Sequence, residues 1–135
     1  MTALLDTHAV IWALTNDPQL SPQARMILSD LNHIIVVSTV SLWEIAVKNQ
    51  KAPHLCPYHE KEILDYCLKA GYLVADMKPK HVLALRSLQV KPDRIISNHD
   101  PFDRLLLAQA KTERMKFITH DMLIPFYHED CILSV

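Results

Sequence analysis

Five short apolar or β-branched runs constrain this chain most: Ala3–Leu5, Ile34–Ser38, Tyr72–Ala75, Phe117–Thr119 and Cys131–Leu133. They are mostly continuous rather than alternating, the pattern of strands covered on both faces in a parallel sheet. Parallel neighbours need long crossovers, and helical stretches lie between the runs. Ser21-Pro22 opens one of these with a cap and a first-turn proline, and it runs to about Leu31. Ser41 to about Asn49 places Leu42, Ile45 and Ala46 at helical spacing, and a third helix runs from about His59 to Ala70 and stops at Gly71. Lys80 to Leu88 is a fourth. The last, Phe102 to Arg114, carries Phe102, Leu105, Leu106 and Gln109 at i, i+3, i+4 and i+7.

Alternating strands and helices predict an α/β domain with a central, largely parallel sheet flanked by helices. No repeat or linker divides the chain, so residues 1–135 form one domain, of ordinary size. Gln89–His99 is the longest stretch without a period and reads as a loop beside Asp100 and Asp103. No apolar run is long enough to span a membrane, and the first residues do not read as a secretory signal. Cys56, Cys67 and Cys131 are odd in number and scattered, which predicts reduced thiols and a cytoplasmic setting.

Gly71 is the only glycine, so the chain contains neither a P-loop nor a dinucleotide-binding glycine fingerprint. Formal net charge is −1, so bulk positive charge does not advertise nucleic-acid binding. Bound divalent cations would reverse that sign locally.

Ligands of open parallel sheets collect beyond the carboxyl ends of the strands. Asp6 directly follows the first run and Asp121 the fourth, while Glu44 lies one turn into the helix after the second run. Asp100 and Asp103 bracket the start of the last long helix. If those ends share one face, carboxylates converge from four segments. Carboxylates held together repel and raise one another's pKa unless a cation joins them. A hard divalent ion takes such oxygens, activates a water and stabilises charge developing on a phosphodiester. Each acid also has a structural reading. Asp6, Asp100 and Asp121 suit helix caps, and Asp103 suits the third position after an Asp100 cap. Glu44 suits a Ser41-x-x-Glu44 capping box and an i, i+4 pair with Lys48.

Four segments then carry a resemblance. LLDTHAVIWAL (4–14), SLWEIAVK (41–48), HDPFDRLLLAQA (99–110) and FITHD (117–121) resemble, in order and separation, the PIN-domain toxins of VapC type. HDPFDRLLLAQA is the most specific of them. The resemblance implies a PIN fold and a Mg2+- or Mn2+-dependent endoribonuclease, the toxin of a toxin–antitoxin pair. It implies metal-activated water attack on the RNA phosphodiester, leaving 5′-phosphate and 3′-hydroxyl ends. Asp6, Glu44 and Asp103 match the core acids and Asp121 a more variable fourth. Thr7 and Thr119 match hydroxyls beside the first and last acids, and Asp100 a supporting or capping residue. The implied partners are RNA, a small antitoxin covering the active-site groove, and a second copy in a homodimer. NQKAPHLCPYHE departs from relatives that carry a Gly-containing turn after the WEI helix. Beside this, Arg104 offers a bidentate contact to backbone phosphate or a surface ion pair. Lys48, Lys51, Lys91 and Arg94 are further candidate cations.

Competing functions use the same acids. A DNA nuclease or a phosphatase would need the same acidic metal pocket, and a non-catalytic α/β binding or receiver-like domain would use the acids as caps. His54-x-Cys56-x-x-His59 lacks a second group at structural-zinc spacing. His8 is expected to be packed or partly buried, and Trp12 and Trp43 to belong to the core.

Overall fold

The computed structural model describes residues 1–90, 100–120 and 127–135. Its strands are β1 (Thr2–Leu5), β2 (Ile34–Ser38), β3 (Leu73–Ala75), β4 (Lys116–Thr119) and β5 (Ile132–Ser134). The helices are α1 (Thr7–Thr15), α2 (Pro22–Ser29), α3 (Thr39–Lys51), α4 (Glu60–Lys69), α5 (Pro79–Leu83) and α6 (Pro101–Thr112), with a 3-10 turn over Ala84–Ser87. The strands form one sheet in the order β3-β2-β1-β4-β5, and every pairing is parallel. The α/β expectation therefore holds, and the sheet is wholly rather than largely parallel.

The sequence pattern explains the layering. Ala3, Leu4 and Leu5 are fully buried because successive side chains enter opposite layers. Leu5, Val37 and Ile118 pack with Val10, Ile45 and Ile63 from α1, α3 and α4. Leu4, Val36 and Phe117 pack with Leu106, Leu107 and Ala110 of α6. Cys56 and Cys67 are buried in the first layer, and the three cysteines are free thiols.

Helix punctuation follows residue chemistry. Ser21 caps α2 by accepting from Ala24 N–H, with Pro22 in the first turn. Gly71 follows α4 at φ +81°, the left-handed conformation that glycine adopts without a Cβ clash. α3 departs from expectation. It begins at Thr39, capped by the Ser38 hydroxyl, so Ser41 and Glu44 form no capping box. The Ser41 side chain has a tertiary partner instead, described below. The expected Lys80–Leu88 helix is a short α5 from Pro79 that tightens into the 3-10 turn. No helix among the described residues is long and apolar enough to cross a membrane.

The strand order changes direction at β1: the chain builds outward to β2 and β3, then returns to β4 and β5 on the other side. A crevice forms at such a switch point, beyond the carboxyl ends of the central strands.

Candidate active site

Asp6 stands where β1 passes into α1. Its backbone N–H donates to Ile118 O at 3.0 Å, extending the pairing with β4 by one residue. Its Oδ1 accepts the Ala9 N–H at 2.7 Å and so caps α1. Its Oδ2 accepts the His120 N–H at 3.2 Å, across the switch point. Thr119, buried at the end of β4, hydrogen-bonds the same carboxyl. Asp6 is 2% exposed. Burial pushes its pKa above the ordinary carboxylate value, outweighing the hydrogen bonds from Thr119, Ala9 and His120 that pull it down. The capping role and a ligand role are thus compatible, because each carboxylate oxygen has two acceptor sites.

Glu44 is buried in α3 and gripped at both oxygens. Thr7 Oγ1 lies 2.6 Å from Oε1, and Lys48 Nζ lies 2.5 Å from Oε2. Thr7 Oγ1 is also 3.0 Å from Ser41 Oγ. A hydroxyl has one proton, and the carboxylate is the stronger acceptor. Thr7 therefore donates to Glu44, and Ser41 donates to Thr7. Since Thr7 adjoins Asp6, this short relay ties the two acids to one turn of backbone.

Asp100 caps α6, its Oδ1 accepting from Phe102 N–H at 2.8 Å and from Asp103 N–H at 3.4 Å, with Pro101 in the first turn. Asp103 is half-buried in that turn. The Phe102 ring meets Trp43 edge-on at 4.8 Å, bringing the start of α6 to α3. Lys48 registers the approach. Its burial acts to lower the pKa, but Glu44, Asp100 and Asp103 together raise it above the ordinary value. Thr7 thus links Glu44 to the turn that carries Asp6, and Lys48 pairs with Glu44 within the field of Asp100 and Asp103. Asp121, Lys91 and Arg94 lie outside the described residues.

Arg104 is half-buried. Its Nη2 lies 3.5 Å from Leu85 O, and its side chain hydrogen-bonds Tyr127. Its Nε has no partner among the described residues.

The donor set is all carboxylate oxygen, which suits a hard divalent cation. Among the described residues, no three His, Cys, Asp or Glu side chains stand close enough to hold an ion by themselves. Magnesium does not require three, since it keeps several waters and is often held by one or two carboxylates plus substrate phosphate. Asp6 and Glu44 are buried carboxyls on adjoining elements, the number of protein oxygen donors such an ion needs when water and phosphate complete its shell.

Two ring arrangements differ from expectation. Trp43 is 56% exposed rather than core, and its ring meets Phe102 edge-on. His8 is exposed and stacks on the half-buried Trp12 at 5.6 Å with a 19° interplanar angle. Trp12 in turn meets His120 edge-on at 5.4 Å. The i, i+4 spacing of His8 and Trp12 was the available signal for that stack.

A family profile described as the PIN domain matches residues 3–124. No curated protein matches the chain. Among solved structures, VapBC2 from Rickettsia felis bound to a promoter DNA fragment is similar with TM-score 0.65 and 16% identity, covering 100% of this chain and 98% of that one. A toxin–antitoxin complex from Klebsiella pneumoniae is similar with TM-score 0.63 and 17% identity, covering 98% and 96%. DNA-bound VapBC from Salmonella typhimurium has TM-score 0.60 and 16% identity, covering 89% and 86%.

Proposed function

The chain belongs to the PIN-domain family, and from that premise we propose that it is a metal-dependent endoribonuclease, the toxin of a toxin–antitoxin pair. The observation that carries the proposal is the Asp6–Thr7–Glu44 linkage at the switch point. It holds two buried acids on adjoining elements, with Asp103 approaching from α6. The family's nuclease character supports the reaction class, and the toxin–antitoxin assemblies among its structural relatives support the setting.

Asp6, Glu44 and Asp103 would hold one or two Mg2+ or Mn2+ ions, with Asp121 as a fourth ligand. The ion supplies activation of water and stabilisation of charge on the phosphodiester. Thr7 orients Glu44, and Thr119 with the His120 N–H orients Asp6. Asp100 holds the first turn of α6, and with it the backbone of Asp103. Arg104 and Lys51 are the proposed phosphate contacts, Lys51 from the last turn of α3.

A cleft of about 590 Å3 between α1, α3 and the 52–58 segment opens beside Glu44 and is lined by Ile11, Trp12, Leu55 and Tyr58. Its apolar walls and its place beside Glu44 suit an antitoxin segment that blocks RNA. Exposed Trp43 beside Phe102 suits the contact of a homodimer.

The test is cleavage of total RNA by antitoxin-free protein with Mg2+ or Mn2+, beside Asp6→Asn and an EDTA control. Single-stranded DNA and a phosphomonoester are run in parallel. Discrete RNA fragments that vanish in both controls are expected. Intact RNA, or hydrolysis confined to DNA or the monoester, would overturn the assignment.

A further inference from the structure

Lys48 is more than an ordinary surface partner of Glu44. Glu44 is a carboxylate with 3% of its side chain exposed, while Lys48 keeps 42% of its own and reaches in from the rim. An ionised acid so buried is strongly destabilising without a positive partner. Lys48 supplies the charge at Oε2 while Thr7 supplies the hydrogen bond at Oε1. The i, i+4 order, acid first, matches the favourable helical arrangement. The ammonium also lies in the field of Asp100 and Asp103 from α6. The ammonium therefore stands at Glu44 Oε2, where a divalent ion held by Glu44 would take its place as counter-charge.

We propose that Lys48 is a resident counter-ion: it neutralises Glu44 when no divalent cation is bound, and competes with that cation for the same acids. The inference rests on the site being a metal centre, as argued above. Two consequences follow from electrostatics. The protein keeps its fold without metal, because the buried Glu44 is never left unpaired. The cation binds more weakly than the acids alone would allow, since an ammonium and a divalent ion repel at this range.

The experiment is calorimetric titration of MgCl2, and separately MnCl2, into antitoxin-free wild type, Lys48→Gln and Lys48→Arg at one pH and ionic strength. Thermal unfolding of each in EDTA and in Mg2+ accompanies it. Lys48→Gln is expected to bind the cation at least about fivefold tighter, because a repelling unit charge has gone. Lys48→Arg is expected to remain near wild type. Lys48→Gln should also melt lower than wild type in EDTA and gain more from Mg2+. A merely structural lysine would share the lower melting temperature but not the tighter binding. Equal or weaker cation binding by folded Lys48→Gln overturns the proposal and leaves the metal centre standing. Absence of cation binding in all three proteins overturns the metal centre, and the proposal with it. If Lys48→Gln does not fold, tighter binding by Lys48→Met supports the proposal and unchanged binding overturns it.

Discussion

The Thr7 hydroxyl donates to Glu44 Oε1 at 2.6 Å, so the residue after the first acid fastens the second. Thr7→Val removes that bond and leaves Glu44 held by Lys48 alone. Cleavage by the variant should fall roughly 10- to 100-fold, as when a hydrogen bond orienting a metal ligand is lost. Stability should fall by about 1–3 kcal/mol, because Oε1 stays buried and unpaired. Thr7→Ser keeps the hydroxyl and should retain most of both. Rates on a defined RNA and urea unfolding of the three proteins check this.

Asp6 gives the ion-free protein a pH dependence of definite sign. Its folded pKa is raised by burial above the unfolded value of 3.8, so the folded state binds more protons in between. Stability should therefore fall as pH rises through that window and stay at the lower value above it. Asp6→Asn cannot ionise and should lack this descending limb, while Mg2+ should restore stability to wild type at neutral pH. Melting temperatures in EDTA from pH 4 upward, with and without added Mg2+, provide the measurement.

On the proposed reading, Asp100 serves structure and Asp103 chemistry within one helical turn. Asp100→Ala removes the α6 cap and should cost about 1 kcal/mol, whereas Asp100→Asn keeps an acceptor and should cost little. Asp103→Asn should abolish cleavage while the protein stays folded in EDTA. Loss of cleavage in Asp100→Asn with full activity in Asp103→Asn would reverse the assignment.

A second polar pair, the buried His81 with the exposed Glu113, joins α5 to the end of α6. The Lys78 N–H donates to His81 Nδ1 at 2.9 Å, so the imidazole carries its proton on Nε2 and donates it to Glu113 Oε1 at 2.8 Å. With His81 first and Lys80 second, these contacts lower the Glu113 pKa from 4.5 to about 2. The stability they contribute is present above pH ~4.5 and should be lost as pH falls from there towards 2. Glu113→Gln should be less stable than wild type at neutral pH and show a flatter acid limb. Parallel acid titrations followed by circular dichroism check both.

Local chemistry made much of this architecture legible. The Ile34–Ser38 run coincides with β2 because strands buried on both faces read as unbroken apolar segments. Ser21-Pro22 announced its helix because cap and first-turn proline act within one turn. Ser41 was misread for the converse reason: its Ser-x-x-Glu spacing imitates a cap, but its hydroxyl serves Thr7, 34 positions away. Trp43 lies at a helical position whose exposure depends on what covers α3, and periodicity carries no such information. The pairing of His81 with Glu113, 32 residues apart, likewise leaves no local trace. Each candidate carboxylate was visible singly as a residue after a strand or at a helix start. Which acids meet depended on the strand order around β1.

The bond from His120 N–H to Asp6 joins residues 114 positions apart, and every sheet pairing around it is parallel and non-local. Such topologies form late, since distant segments must close before their contacts stabilise anything. On a ribosome, the first acid emerges early but cannot be seated until β4 has followed it out. A site built this way is incomplete through most of its own translation, and it is assembled only when the chain can close around Asp6.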